Sequence, residues 1–232
     1  MAAKPTVLLV HGFWGDATHW AKVIVELNQR GYDSIKAVEL PLTSVAADAT
    51  RLQQMIKQVD GPVLLVGHSY GGVVLSEAGD LPNVVGLVYV SAFAPDTGES
   101  LATISEHGEA PGGANVYPDS DGFLWLKEDK FKESFCQDVD DDEALVMAVT
   151  QKAAVGSVYG DAVTVRPAWK SKPAWYLVST QDRMVAPEVQ RWLADRMGPR
   201  KTVEIDASHA AMASQPKAVV DLIDVAVRDL GV

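Results

Sequence analysis

One cysteine in 232 residues, Cys136, leaves no partner for an intrachain disulfide. So little cysteine suits a reducing compartment, and the cytoplasm is the expected location. The opening Met1-Ala2-Ala3-Lys4-Pro5 runs directly into Val7-Leu8-Leu9-Val10, too short and too poorly flanked for a signal peptide or a membrane span. No membrane insertion is expected. Basic clusters are missing too, and at a net charge of −11 nothing is available to neutralise a phosphate backbone, so nucleic acid is excluded as a partner. No metal-ligand spacing and no nucleotide-binding glycine loop occurs, which leaves the expected chemistry without metal or cofactor. Internal repeats and low-complexity tracts are also absent.

What is present is ordinary for a globular protein: 47% apolar and 22% charged residues, in a length that suits one domain spanning 1–232. The charge is unevenly spread. Between Asp96 and Asp161 there are 15 acidic residues against 4 lysines, and elsewhere 16 of each sign cancel. A solvated acidic surface explains this better than electrostatic selection of substrate. Composition leaves monomer and homodimer equally open.

The pattern that organises the chain is Val63-Leu64-Leu65-Val66 followed by Gly67-His68-Ser69-Tyr70-Gly71 and an apolar-faced helix from Val73. Gly-x-Ser-x-Gly between a buried strand and a helix is a nucleophile elbow. Its serine takes a strained backbone conformation that projects the hydroxyl from the turn, and glycines on both sides avoid collision with the neighbouring strand and helix. The helix start aims its unpaired N–H groups at the position of an oxyanion.

Around this stretch the pattern alternates. Strands are expected at Thr6–Val10, Ser34–Val38, Val84–Val90, Ala174–Ser179 and Lys201–Ile205. Helical spacing links Trp20, Val23, Ile24 and Leu27, then Val45 through Val59, then Val189, Trp192 and Leu193 after Pro187, and finally Val219 through Leu230. This implies an α/β fold with a mainly parallel six-stranded sheet covered by helices, and chemistry in loops at the carboxyl ends of strands. From Asp96 to about Pro167 no strand is convincing. That stretch is expected to be a mostly helical cap insertion, with one helix over Glu143–Ala154 turning Leu145, Val146, Val149 and Ala153 inward.

A serine hydroxyl needs a base, and the base needs a carboxylate to hold its tautomer. Of the five histidines, His11 and His68 sit in tight turns where packing decides their role, and His19 and His107 lie at no strand end. His209, in the loop after the last strand, is the expected base. Asp182, ending the strand Ala174–Ser179, is the expected acid. Its rival Asp206 lies too close to His209 in sequence to align with Nδ1 while Nε2 faces Ser69. The oxyanion hole is expected from the N–H groups of Tyr70 and Phe13. Gly12, Trp14, Phe93 and Trp125 are the expected substrate contacts, with Phe123, Phe131 and Phe135 as further candidate walls of an apolar, partly aromatic pocket. Cys136 is read as structural.

These pieces resemble the α/β-hydrolase superfamily, and within it the small serine esterase branch that includes plant methylesterases and hydroxynitrile lyases. The resemblance rests on Val7–Gly12, Leu65–Gly72, Ala92–Asp96, Gln181-Asp182 and Ser208-His209, and it implies the same triad of Ser69, Asp182 and His209. The lyases of this branch carry a lysine directly after the histidine and a threonine after the histidine of the first strand, where this chain has Ala210 and Gly12. Without an ammonium to stabilise departing cyanide, the expected activity is hydrolysis of small to medium, apolar or aromatic carboxylic esters. A carbon–carbon hydrolase or lyase on the same triad, or a slowly turning-over ligand-binding protein, is the alternative.

Overall fold

The computed structural model describes residues 4–231; residues 1–3, where the expected leaderless start begins, and residue 232 lie outside it. β1 (Thr6–Val10) is buried along its whole length. The Asp16 carboxylate accepts the Thr18 N–H at 2.7 Å and opens a short turn ending at Trp20, from which α1 (Ala21–Gln29) runs. Trp20 therefore precedes the helix instead of joining it, and Ile24 is only half-buried. β2 (Ile35–Val38) starts one residue later than the sequence suggests. α2 (Val45–Lys57) is capped by the Ser44 hydroxyl, which accepts the Ala47 N–H at 3.1 Å. β3 (Val63–His68), α3 (Gly71–Ala78) and β4 (Val84–Val90) follow.

The expected cap comes next, and it contains strands. After α4 (Leu101–Ser105) come β5 (Val116–Pro118), β6 (Phe123–Leu126), α5 (Glu128–Phe135), α6 (Asp141–Val149) and β7 (Ala154–Val155). The three strands form a small antiparallel sheet in the order β5-β6-β7. Strands this short are below the length at which alternation can be recognised, and the hairpin is made by its turn. There the Asp119 carboxylate takes the Asp121 and Phe123 N–H groups, both at 2.9 Å, and Gly122 adopts φ +83°.

α6 corrects a second expectation. It ends at Val149, not Ala154, and turns the other way: Leu145, Val146 and Val149 are 61%, 58% and 59% exposed, while Ala144, Met147 and Ala148 are buried. The helix is apolar nearly all round, so its own periodicity does not select a face. The small residues Ala144 and Ala148 are on the side that lets it pack closely on α5.

β8 (Ala174–Ser179), α7 (Pro187–Met197), β9 (Lys201–Ile205), α8 (Ala211–Ser214) and α9 (Pro216–Leu230) complete the chain. The main sheet has the order β2-β1-β3-β4-β8-β9, with every pair parallel. α1 packs against α9 and α2 against α3, and the reversal of strand order between β1 and β3 puts these two pairs on opposite faces. That reversal opens a crevice between the loops after β1 and β3. Phe13 and Ser69 sit in those two loops.

Candidate active site

Ser69 follows β3 with φ +54°, a left-handed conformation that a serine adopts only when its surroundings impose it. The imposition is visible at Gly71. A Cβ there would run into the Val10 carbonyl, so α3 approaches β1 only because position 71 is bare. Ser69 lines a cavity of about 310 Å³ together with Phe13, Trp14, Tyr70, Phe93, Ser105, Gly113, Val116, Leu124, Tyr159, Met184 and Val185. A second cavity of about 440 Å³ shares Phe93, Ser105, Gly113, Tyr159, Met184 and Val185 with it. The two adjoin along these shared residues and form one cleft.

The loop after β9 brings His209 under this cleft. His209 Nδ1 lies 2.7 Å from Asp182 Oδ2, and both side chains are buried. His209 Nε2 is buried and has no hydrogen-bond partner among the described residues. The loop is tied to the elbow itself, because His68 donates from Nε2 to the His209 carbonyl at 2.8 Å and the two rings lie 4.5 Å apart. Phe135 of α5 stands edge-on to the His209 ring at 4.9 Å. Burial pushes the His68 ring well below the usual histidine range, so it stays neutral beside His209.

His11 does comparable work on the other loop. Its Nε2 accepts the Leu40 N–H at 3.0 Å, which leaves Nδ1 to donate to the Gly12 carbonyl at 2.9 Å. Burial lowers its pKa as well. The loop is held further by Trp14, whose N–H reaches the Lys152 carbonyl at 3.1 Å and whose indole reaches the Leu124 carbonyl at 3.0 Å. Neither the Phe13 nor the Tyr70 N–H is engaged by another described residue. His107 stacks on Trp192, and Asp206 is exposed.

Ser69, Phe13, Tyr70, Trp14 and Phe93 are thus brought to one cavity; Gly12 does not line it but packs against Ser69, where a Cβ would fall 2.6 Å from that of Ser69. Trp125 is not brought there. Its indole turns away to donate to Asp119 at 2.8 Å, and its neighbour Leu124 faces the cavity instead, as alternation along β6 requires. Phe131 and Phe135 are fully buried behind the site, and Phe123 is at the cap surface. Cys136 is buried with its thiol pushed up to about 12, which makes it inert.

Sequence reasoning missed several residues here. Asp48 accepts the Tyr70 hydroxyl, and Gln190 donates to Asp182. An acid in the first turn of a helix is so ordinary that Asp48 carried no signal, and a glutamine on a helix carries none. Ser105, Val116 and Tyr159 come from the cap, where no pattern pointed at the cavity. Among the described residues no group of three His, Cys, Asp or Glu is placed to hold a metal ion, and no helix is long and apolar enough to cross a membrane.

Comparison with known proteins agrees with this architecture. The chain is 26% identical to a probable hydrolase, R7, of Phoma sp. over 243 residues, covering 95% of this chain and 97% of the relative. It is 24% identical to the alpha-hydroxynitrile lyase of Arabidopsis thaliana over 261 residues, covering 99% of both. The crystal structure of a pyrethroid hydrolase from Sphingobium faniae shares the fold with a TM-score of 0.83 at 21% identity, covering 96% of this chain and 97% of that one. Residues 7–222 match the model of the alpha/beta hydrolase family, and the chain belongs to that family.

Proposed function

We propose that the chain is a serine carboxylesterase that cleaves small to medium, apolar or aromatic carboxylic esters through an acyl-enzyme. Ser69 Oγ attacks the ester carbonyl while His209 Nε2 takes its proton, and Asp182 steadies the imidazolium through Nδ1. The N–H groups of Phe13 and Tyr70 hold the tetrahedral oxyanion. Collapse expels the alkoxide, which receives the proton from His209 and leaves as alcohol. Water then repeats the sequence on the acyl-enzyme and returns the acid and free Ser69.

The observation that carries this reading is the pairing of His209 Nδ1 with Asp182 while Nε2 stays free, in a loop hydrogen-bonded to His68, the residue before the strained serine that lines the apolar cavity. A cavity of about 310 Å³ is twice the size of an engineered one that holds benzene, at about 150 Å³, and so suits acyl and alcohol groups of modest bulk. No lysine, arginine or histidine lines it. The position after His209 is the buried Ala210. A departing cyanide would therefore meet no cation besides the His209 imidazolium, which favours ester hydrolysis over cyanohydrin cleavage. The lone buried thiol supports a cytoplasmic setting.

A fluorophosphonate should label the folded protein once, at Ser69, and a panel of activated esters should be turned over by the wild type and not by Ser69→Ala. An unlabelled Ser69 would sink the mechanism. Faster turnover of mandelonitrile than of any ester would move the reading to the lyase.

A further inference from the structure

Gln190, in the first turns of α7, is completely buried and has no part in the mechanism above. Its amide orientation follows from its neighbours. The Ser179 N–H can only donate, so the atom it meets at 3.0 Å is the amide oxygen. The Val185 carbonyl can only accept, so the atom 2.8 Å from it is the amide nitrogen. Gln190 therefore has only N–H to offer Asp182, and it offers it to Oδ2 at 2.8 Å. That same oxygen faces His209 Nδ1. The other oxygen, Oδ1, takes the Met184 and Val185 N–H groups at 2.8 and 2.9 Å.

Both oxygens of Asp182 are thus met by obligate donors. Three fixed donors favour the ionised carboxylate over the acid, whose one available acceptor would be His209 Nδ1 itself. The shared proton is then held on His209 Nδ1, which puts the lone pair on Nε2.

We propose that Gln190 is a positioning residue: it fixes the orientation of the Asp182 carboxylate and, through it, the tautomer of His209. The inference rests on the serine-esterase reading of the same site. It also gives a reason for a glutamine on an otherwise apolar buried face. A leucine there would pack as well but would leave Oδ2 one donor short, with His209 Nδ1 as its one remaining partner.

The test uses the intact 232-residue chain, labelled with 15N-histidine, as wild type, Gln190→Leu and Gln190→Met. The methionine variant guards against misfolding of the leucine variant, because its unbranched chain can follow the path of the glutamine while offering Asp182 no donor. Expected is a fall in kcat of about 10- to 100-fold with KM within about twofold, the scale of one hydrogen bond to a charged group. The far-downfield proton resonance of His209 Nδ1–H should shift or vanish in the same variants. A folded variant of either kind that keeps wild-type kcat and an unmoved resonance would overturn the proposal. Fluorophosphonate labelling of the wild type separates the two readings. If Ser69 is not labelled the esterase reading fails, and the resonance alone then decides the role of Gln190.

Discussion

The phenol of Tyr70 donates a hydrogen bond to the buried carboxylate of Asp48 at 2.6 Å. The other oxygen of Asp48 takes the N–H of Leu42, a residue held at φ +59°. The ring of Tyr70 in turn packs on Phe13, centroid to centroid at 4.5 Å. One carboxylate on α2 thus braces both residues whose N–H groups are proposed to bind the oxyanion. Burial raises its pKa, and the two hydrogen bonds offset part of that penalty.

Asp48→Ala leaves the Tyr70 hydroxyl and the Leu42 N–H buried without partners. At about 1–3 kcal/mol for each unsatisfied group, the expected loss of stability is roughly 2–6 kcal/mol. Urea unfolding measures it, and kcat on an activated ester should fall while KM changes little. Asp48→Asn keeps a partner for each group and should lose far less.

Gly12→Ala places a Cβ 2.6 Å from Ser69 Cβ and 3.1 Å from both Ser69 Oγ and the His68 carbonyl. Backbone-anchored atoms of the elbow must then move. Displacing Ser69, the proposed nucleophile, relative to the proposed oxyanion donors should lower kcat/KM about 10²-fold, with a change in melting temperature of only a few degrees. Steady-state kinetics beside thermal melting separates the two effects.

Stability should fall as pH drops from about 6.5 towards 4. Burial lowers the pKa of His11 and His68, and brings that of His19 to about 4. In this window the unfolded chain binds protons that the folded one refuses. Each such histidine therefore removes up to about 1.4 kcal/mol per pH unit. Asp48, raised by burial, works in the opposite direction with at most one proton. Urea midpoints at pH 7, 6 and 5 should decline, and His19→Gln should flatten the decline by one proton.

Where the two cavities adjoin, the Tyr159 hydroxyl donates to Ser105 Oγ at 2.8 Å, joining two segments of the cap. Truncating the ring by Tyr159→Ala should widen the passage between the two cavities. The ratio of kcat/KM for octanoate over acetate p-nitrophenyl esters should rise about tenfold, on the scale of a few methylenes newly admitted to an apolar space. Tyr159→Phe, which keeps the ring and loses only the bond, should rise less.

Much of this molecule was legible in one dimension because parallel strands are buried on both faces. β1, β3, β4 and β8 read as unbroken apolar runs. The strained turn at Ser69 was legible because it needs its glycines at fixed offsets. The pairing of Asp182 with His209 was legible because both follow strands that must end at the same edge of the sheet.

What stayed hidden has two causes. In the cap, strands of two to four residues are shorter than any pattern, and α6 is apolar on both sides, so packing against α5 decides which side is inside. Around the site, Asp48 and Gln190 act through single hydrogen bonds to residues 22 and 8 positions away. Nothing in their local sequence distinguishes them from surface residues of a helix.

The amino-acid sequence by itself determined the sheet, the strained turn at Ser69 and the chain order of the proposed serine, acid and histidine, because each follows from local periodicity or from a steric demand within a few residues. Only the tertiary structure decided which groups hold that machinery in place and which cap residues face the cleft. Those choices depend on distances between segments remote in the chain, and a buried polar group finds its partner only once the chain has closed around it.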